Sequence, residues 1–222
     1  MLKSQSFRAG LRDSILILLA VGGFGVAYGV LAVSAGFSPW LATFSSLVIV
    51  SGAAQFTMIG LLSAGAVPIL IAVTGLGLRH LPMSASLANI IGPQTLWRRL
   101  RLAWILVDET FGLTIRAVGT GIDDVVAYKS AADLMLYTGW IIGTAVGAWF
   151  GGAIEPGAIG IGVLFSLLFL GLAVPMIRTR RDWIVAASAV LATILSILMV
   201  PAAWQITVAA VAASLAGMVF DE

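Results

Sequence analysis

The sequence contains no cysteine, a single histidine and few charges, with Asp, Glu, Lys and Arg making up only 10% of its 222 residues. Each scarcity removes a class of function. Without cysteine there is no disulfide framework, no thiolate nucleophile and no cysteine-ligated metal. One histidine, together with the absence of His-Glu-x-x-His, Gly-x-Ser-x-Gly and Gly-x-Gly-Asp runs, leaves metallo-, serine- and aspartyl-type chemistry without its residues. The chain therefore reads as a non-enzyme, with no catalytic residue, metal set or cofactor motif. A net charge of +2 is too small to suggest a nucleic-acid partner.

What the chain does have is apolar surface. Hydrophobic residues make up 60% of it and the mean hydropathy is +1.09, whereas soluble domains carry about 25% charged residues. At about 20 residues per span plus short loops, the length allows seven or eight spans. The expectation is an all-α polytopic integral membrane protein, a bundle of seven or eight transmembrane helices forming one transmembrane domain over residues 1–222. Such a bundle leaves no room for a soluble catalytic domain.

Apolar segments run over 14–34, 40–62, 67–91, 102–118, 131–153, 158–177, 183–200 and 202–220. The first follows Lys3, Arg8 and Arg12 and is long enough to span, so it is expected to remain as a first span rather than be cleaved as a signal peptide. Arg98, Arg99 and Arg101 separate the third segment from the fourth. A polar stretch from Gly121-Ile122-Asp123-Asp124 to Lys129-Ser130 precedes the fifth, and Glu155-Pro156-Gly157 precedes the sixth. Arg178, Arg180 and Arg181 precede the seventh, and Pro201 splits the last apolar stretch into two helices.

If every segment crosses, the N-terminal cluster and Arg178–Arg181 share the cytoplasmic side and Arg98–Arg101 falls outside. Either that loop breaks the positive-inside rule, or segment 67–91 is broken or re-entrant. Gly75, Gly77 and Pro82 favour a break near Arg79–Pro82. A weak internal repeat pairs Gly25-Val26-Ala27-Tyr28-Gly29 with Ala145-Val146-Gly147-Ala148-Trp149, and Ala35-Gly36-Phe37 with Ala158-Ile159-Gly160.

A charge in hydrocarbon costs about 2.5–3.5 kcal/mol on insertion scales and usually faces a partner, a cavity or a solute path. Two constellations meet that description. In Thr74-Gly75-Leu76-Gly77-Leu78-Arg79-His80-Leu81-Pro82, the proline frees a carbonyl near Leu78 and the glycines let the helix open. The exposed half-helix end and Arg79 can then hold a carboxylate, while His80 is suited to proton handling. The packing alternative is a kinked helix with Arg79 reaching the interface and His80 bonded to a carbonyl. In Leu106-Val107-Asp108-Glu109-Thr110-Phe111, one acid can bind or be protonated, or can pair with Arg79 or His80 and lock two helices together. A third motif, Ser51-Gly52-Ala53-Ala54-Gln55-Phe56-Thr57, places an amide at mid-depth beside small residues. Its two readings are interhelical hydrogen bonding and solute contact.

These elements, in this order, resemble the AzlC-type family, the larger subunit of bacterial branched-chain amino acid exporters. The resemblance rests on the glycine-rich first span ending Ala35-Gly36-Phe37-Ser38-Pro39, then Gly52-Ala53-Ala54-Gln55-Phe56, Leu78-Arg79-His80 and Asp108-Glu109-Thr110-Phe111. It covers roughly residues 20–115. One departure is Leu81-Pro82-Met83, where a smoother apolar-aromatic run is expected. The resemblance implies export of branched-chain amino acids, and of methionine, across the bacterial inner membrane. It also implies a small hydrophobic AzlD-type partner subunit; the N-terminus of this multi-pass chain is read as cytoplasmic from its basic cluster. It supplies no established site residues. Arg79, His80, Asp108, Glu109 and Gln55 stand as the substrate-binding candidates on physical grounds. The rival reading is a channel-like or non-transporting membrane subunit dependent on its partner.

Overall fold

The computed structural model describes residues 2–151, 170, 174, 177, 179–201, 204–205, 208–209, 211–213 and 215. Among them every regular element is helical. In chain order these are α1 (Leu2–Asp13), α2 (Ile15–Ser34), α3 (Pro39–Val48), α4 (Gly52–Gly60), a 3-10 turn (Leu62–Ala64), α5 (Ala66–Gly77) and α6 (His80–Ile91). They are followed by α7 (Leu96–Trp104), α8 (Asp108–Gly119), α9 (Val125–Phe150) and α10 (Arg180–Met199). Among the described residues, four stretches are long and apolar enough to cross a membrane: Ile15–Ser34, Ala66–Ile91, Val125–Phe150 and Arg180–Met199. The chain forms two compact units, one from Met1–Phe56 and Leu78–Ile154, the other from Thr57–Gly77 and Glu155–Glu222.

The first unit is organised by α2 and α9, and small residues decide how closely they approach. A side chain at Gly143 would strike the Gly22 carbonyl, and one at Gly147 the Val26 carbonyl. Leu18 likewise faces Gly139 and Val30 faces Gly151. Both partners advance four residues at each step, so the two helices run parallel with their backbones in contact. In hydrocarbon this is a main route to helix association, because lipid tails are as apolar as leucine and offer no hydrophobic drive. The same register continues into α1, where Gly10 sits against Tyr128 and Ala131. Ser6 Oγ accepts the Asp124 amide at 3.2 Å, and the Tyr128 hydroxyl donates to Asp13 at 3.1 Å. The basic N-terminal stretch is thus a helix docked on the start of α9.

Several segment boundaries need correction. Segment 40–62 is two helices, because Val48, Ile49 and Val50 form a β-branched run that disfavours helix and Ile49 adopts an extended conformation (φ −97°, ψ 95°). Gln55 donates back to Ser45 at 3.1 Å and Ser46 at 3.0 Å, so the start of α4 folds back beside the end of α3. Segment 102–118 is likewise not one helix. Amphipathic α7 begins earlier, at Leu96, with Trp97 and Leu100 exposed and Leu102 buried. The chain then breaks at Ile105–Val107 and resumes as α8, whose 12 residues reach only about 18 Å, short of a hydrocarbon core of about 30 Å.

The fifth segment starts at Val125, six residues before the expected 131, because the Asp124 carboxylate caps the helix by accepting the Ala127 amide at 2.9 Å. Segment 14–34 matches α2. Segment 183–200 matches α10, which opens on a Thr179–Asp182 capping box and ends before Pro201. Segment 158–177, the repeat partner Ala158–Gly160, the Glu155–Gly157 loop, Arg178 and most of segment 202–220 lie outside the described residues.

Candidate functional site

The expected break in the third segment falls at Leu78-Arg79, between α5 and α6, with Pro82 in the first turn of α6. Proline is tolerated there because a first-turn amide has no helical acceptor to lose. The Leu78 carbonyl, which a residue-82 amide would otherwise reach, instead accepts the Leu81 amide at 3.1 Å, a tighter one-turn bond. Arg79 caps α6 without a side-chain hydrogen bond to it, and its guanidinium turns toward α8.

Arg79 Nη1 lies 2.9 Å from Asp108 Oδ2, with the two side chains 37% and 52% exposed. The pairing that the sequence left open therefore goes to Asp108. Arg79 Nε is buried and has no hydrogen-bond partner among the described residues. His80 is the first residue of α6 and is half-buried.

Asp108 and Glu109 occupy the first turn of α8, where acids are favoured by the unpaired amides and dipole of a helix start. Val107, ahead of them, is extended and supplies no side-chain cap. Adjacent helical residues diverge by about 100°, and the two acids separate accordingly: Asp108 is exposed, Glu109 half-buried. Met83 and Leu87 of α6 pack with Leu106, and Phe111 joins them, so an apolar cluster links α6 to the start of α8.

Gln55 lies apart from these charges. It is fully buried and donates to Ser45 and Ser46, while its carbonyl accepts the Trp140 indole N–H at 2.7 Å. Ser45 meets the Tyr28 hydroxyl at 2.7 Å and Ser46 meets Thr144 at 2.9 Å. The Tyr28, Phe56 and Trp140 rings close over this network, with centroids 5.6 to 6.2 Å apart. Every polar atom named here is satisfied from within the protein.

Sequence reasoning missed Lys129 and Asp133. Lys129 Nζ contacts both Asp133 carboxylate oxygens at 2.7 Å and donates to the Ile105 carbonyl at 3.3 Å. Their side chains are 0% and 6% exposed. The available signal was a Lys and an Asp four residues apart, the spacing that brings side chains together on one helix face. Lys129 instead read as the end of a polar loop.

A family model described as AzlC protein matches residues 16–154. An uncharacterized membrane protein of Archaeoglobus fulgidus is 31% identical over 186 residues, covering 81% of this chain and 80% of that protein. The inner membrane protein YgaZ of Escherichia coli K12 is 26% identical over 196 residues, covering 84% and 80%. An uncharacterized membrane protein of Helicobacter pylori 26695 is 30% identical over 169 residues, covering 75% and 73%. No solved structure matches the chain.

Proposed function

This chain belongs to the AzlC family and is a membrane protein, and from that premise we propose that it is a secondary transporter exporting small apolar amino acids. The substrates on this reading are the branched-chain amino acids and methionine. The chain is a single transmembrane domain in the bacterial inner membrane, working with a small hydrophobic AzlD-type subunit.

The observation that carries the reading is the Arg79–Asp108 pair, a part-exposed ion pair between two half-helix ends, with a spare guanidinium donor beside it. A zwitterion can replace that internal pair charge for charge. Its carboxylate would take Arg79, whose planar fork suits carboxylate, and the amides at the start of α6. Its ammonium would take Asp108 or Glu109. Exchanging this one ion pair for two leaves no charge uncompensated, which matters where an unpaired ion is costly. Apolar walls would take the side chain. His80 or one of the acids would carry a coupled proton, and Gln55 would fix the helices around the path.

The test is counterflow of labelled leucine, methionine and alanine in proteoliposomes, at two pH values, with and without the small subunit. Saturable, pH-sensitive exchange of leucine and methionine, lost in Arg79→Gln, is the expected outcome. Absence of exchange with the genuine subunit present would favour the channel-like or non-transporting reading.

A further inference from the structure

We propose that residues 96–119 form a re-entrant hairpin that enters and leaves the membrane at the face carrying the N-terminal helix, and that Lys129 and Asp133 are positioning residues holding its tip. The inference needs only that the chain is a membrane protein, and stands whether or not it exports amino acids.

Both ends of the excursion line one cavity. The space, about 700 Å³, is walled by Phe7 of α1, Ile91 at the end of α6, Arg98 and Arg101 of α7, and Asp123 and Asp124 just before α9. The chain therefore leaves this end after α6 and is back at it before α9. Gly92 and Gly121 make the two turns there, with φ of 65° and 80°, conformations that a Cβ disfavours. Between them neither helix is long enough to cross. The 9 residues of α7 and 12 of α8 reach about 13 Å and 18 Å, against a core of about 30 Å.

The break at Ile105–Val107 is the tip. Leu106 and Val107 are buried there, and the Ile105 carbonyl, left without a helical partner by the break, is taken by Lys129 Nζ. Non-helical backbone at membrane depth is tolerated only where protein satisfies it. Asp133 neutralises the lysine that does so. Arg101 Nη2, 3.2 Å from Ser130 Oγ, ties α7 to the same stretch of α9.

This geometry removes the conflict with the positive-inside rule. With every segment crossing, Arg98, Arg99 and Arg101 would fall opposite Arg8 and Arg12. The shared cavity puts them at the same end as α1, so both clusters face the cytoplasm. Placing Arg98–Arg101 there requires a single crossing between Ser38 and Ile91, which the return of α4 beside the end of α3 allows, and residues 96–119 then return to the same face.

The absence of cysteine makes the test direct. Single cysteines at Gln5, Arg99, Asp123 and Ser38 would be probed with a membrane-impermeant maleimide in intact cells and in inverted vesicles. Positions 5, 99 and 123 are expected to label from the cytoplasmic face and position 38 from the other. Labelling of 99 and 123 from opposite faces would overturn the hairpin. For the positioning role, Val107→Cys is expected to be shielded in the parent chain and to label several-fold faster from the cytoplasmic face in Lys129→Met. Lys129→Arg, which keeps a donor for Ile105 and Asp133, should stay shielded. Should Lys129→Met fail to reach the membrane, the same reading is taken in Lys129→Met/Asp133→Met, which strands no charge but still removes the donor. Unchanged Val107 labelling on loss of Lys129 would overturn the positioning role.

Discussion

At the scale of single residues, what separates these polar side chains is whether their partners are other protein groups alone. Arg79 and Asp108 pair but keep exposed surface and a spare donor, so their loss should show in transport more than in folding. Arg79→Gln and Asp108→Asn are each expected to abolish most leucine counterflow at normal protein levels. The double variant should lose little more than either single, because both act on one substrate; a double-mutant cycle of initial rates measures this. Gln55 is the opposite case. Gln55→Leu leaves the buried Trp140 N–H without its acceptor and takes one donor each from Ser45 and Ser46, which keep Tyr28 and Thr144, an expected cost of about 1–3 kcal/mol. Thermal unfolding in detergent should register it as a lowered midpoint. Arg79, Asp108 and Glu109 were legible in the sequence because each is a charge inside an apolar run. Lys129 was not, because four residues of polar loop stand close before it and nothing local says that α9 already begins at Val125.

At the scale of elements, proline and glycine have distinct effects. Pro82 cannot donate to the Leu78 carbonyl, which accepts the Leu81 amide instead, so the helical hydrogen bonding is interrupted there. Pro82→Ala restores an amide at that point and is expected to favour a continuous helix, preserving or raising thermal stability while lowering the transport rate. Equal loss of both would mean that the break serves stability alone. Gly143 and Gly147 carry the contact of α2 with α9. Gly143→Leu is expected to cost more than the roughly 1–3 kcal/mol of ordinary overpacking, since the obstacle is the rigid Gly22 backbone, and should remove folded protein from the membrane. Gly23→Ala, with nothing within 4 Å of its added methyl, should be silent in the same quantitative blot. The breaks at Ile49–Ser51 and Ile105–Val107 went unread because hydropathy is blind to direction. A half-helix that returns is as apolar as one that continues.

At the scale of the whole molecule, orientation is set by a few arginines in a chain whose net charge is only +2. Since K/R bias near span ends directs insertion, replacing Arg98, Arg99 and Arg101 together with Gln is expected to produce a mixed population. In cells, a cysteine at position 123 would then label in part from the outer face, while the parent labels from the cytoplasmic face alone.

The sequence by itself determined that this is a helical membrane protein of the AzlC family, and which charges in it are anomalous. Hydrophobic runs, missing cysteine and isolated ions are properties of composition and order that no fold can alter. Only the tertiary structure decided which partners those charges took, that α2 and α9 meet at their backbones, and that residues 96–119 return to the end they left. Those outcomes depend on contacts between residues far apart in the chain, such as Ile105 with Lys129 or Phe7 with Arg98 across one cavity, and local pattern carries no record of them.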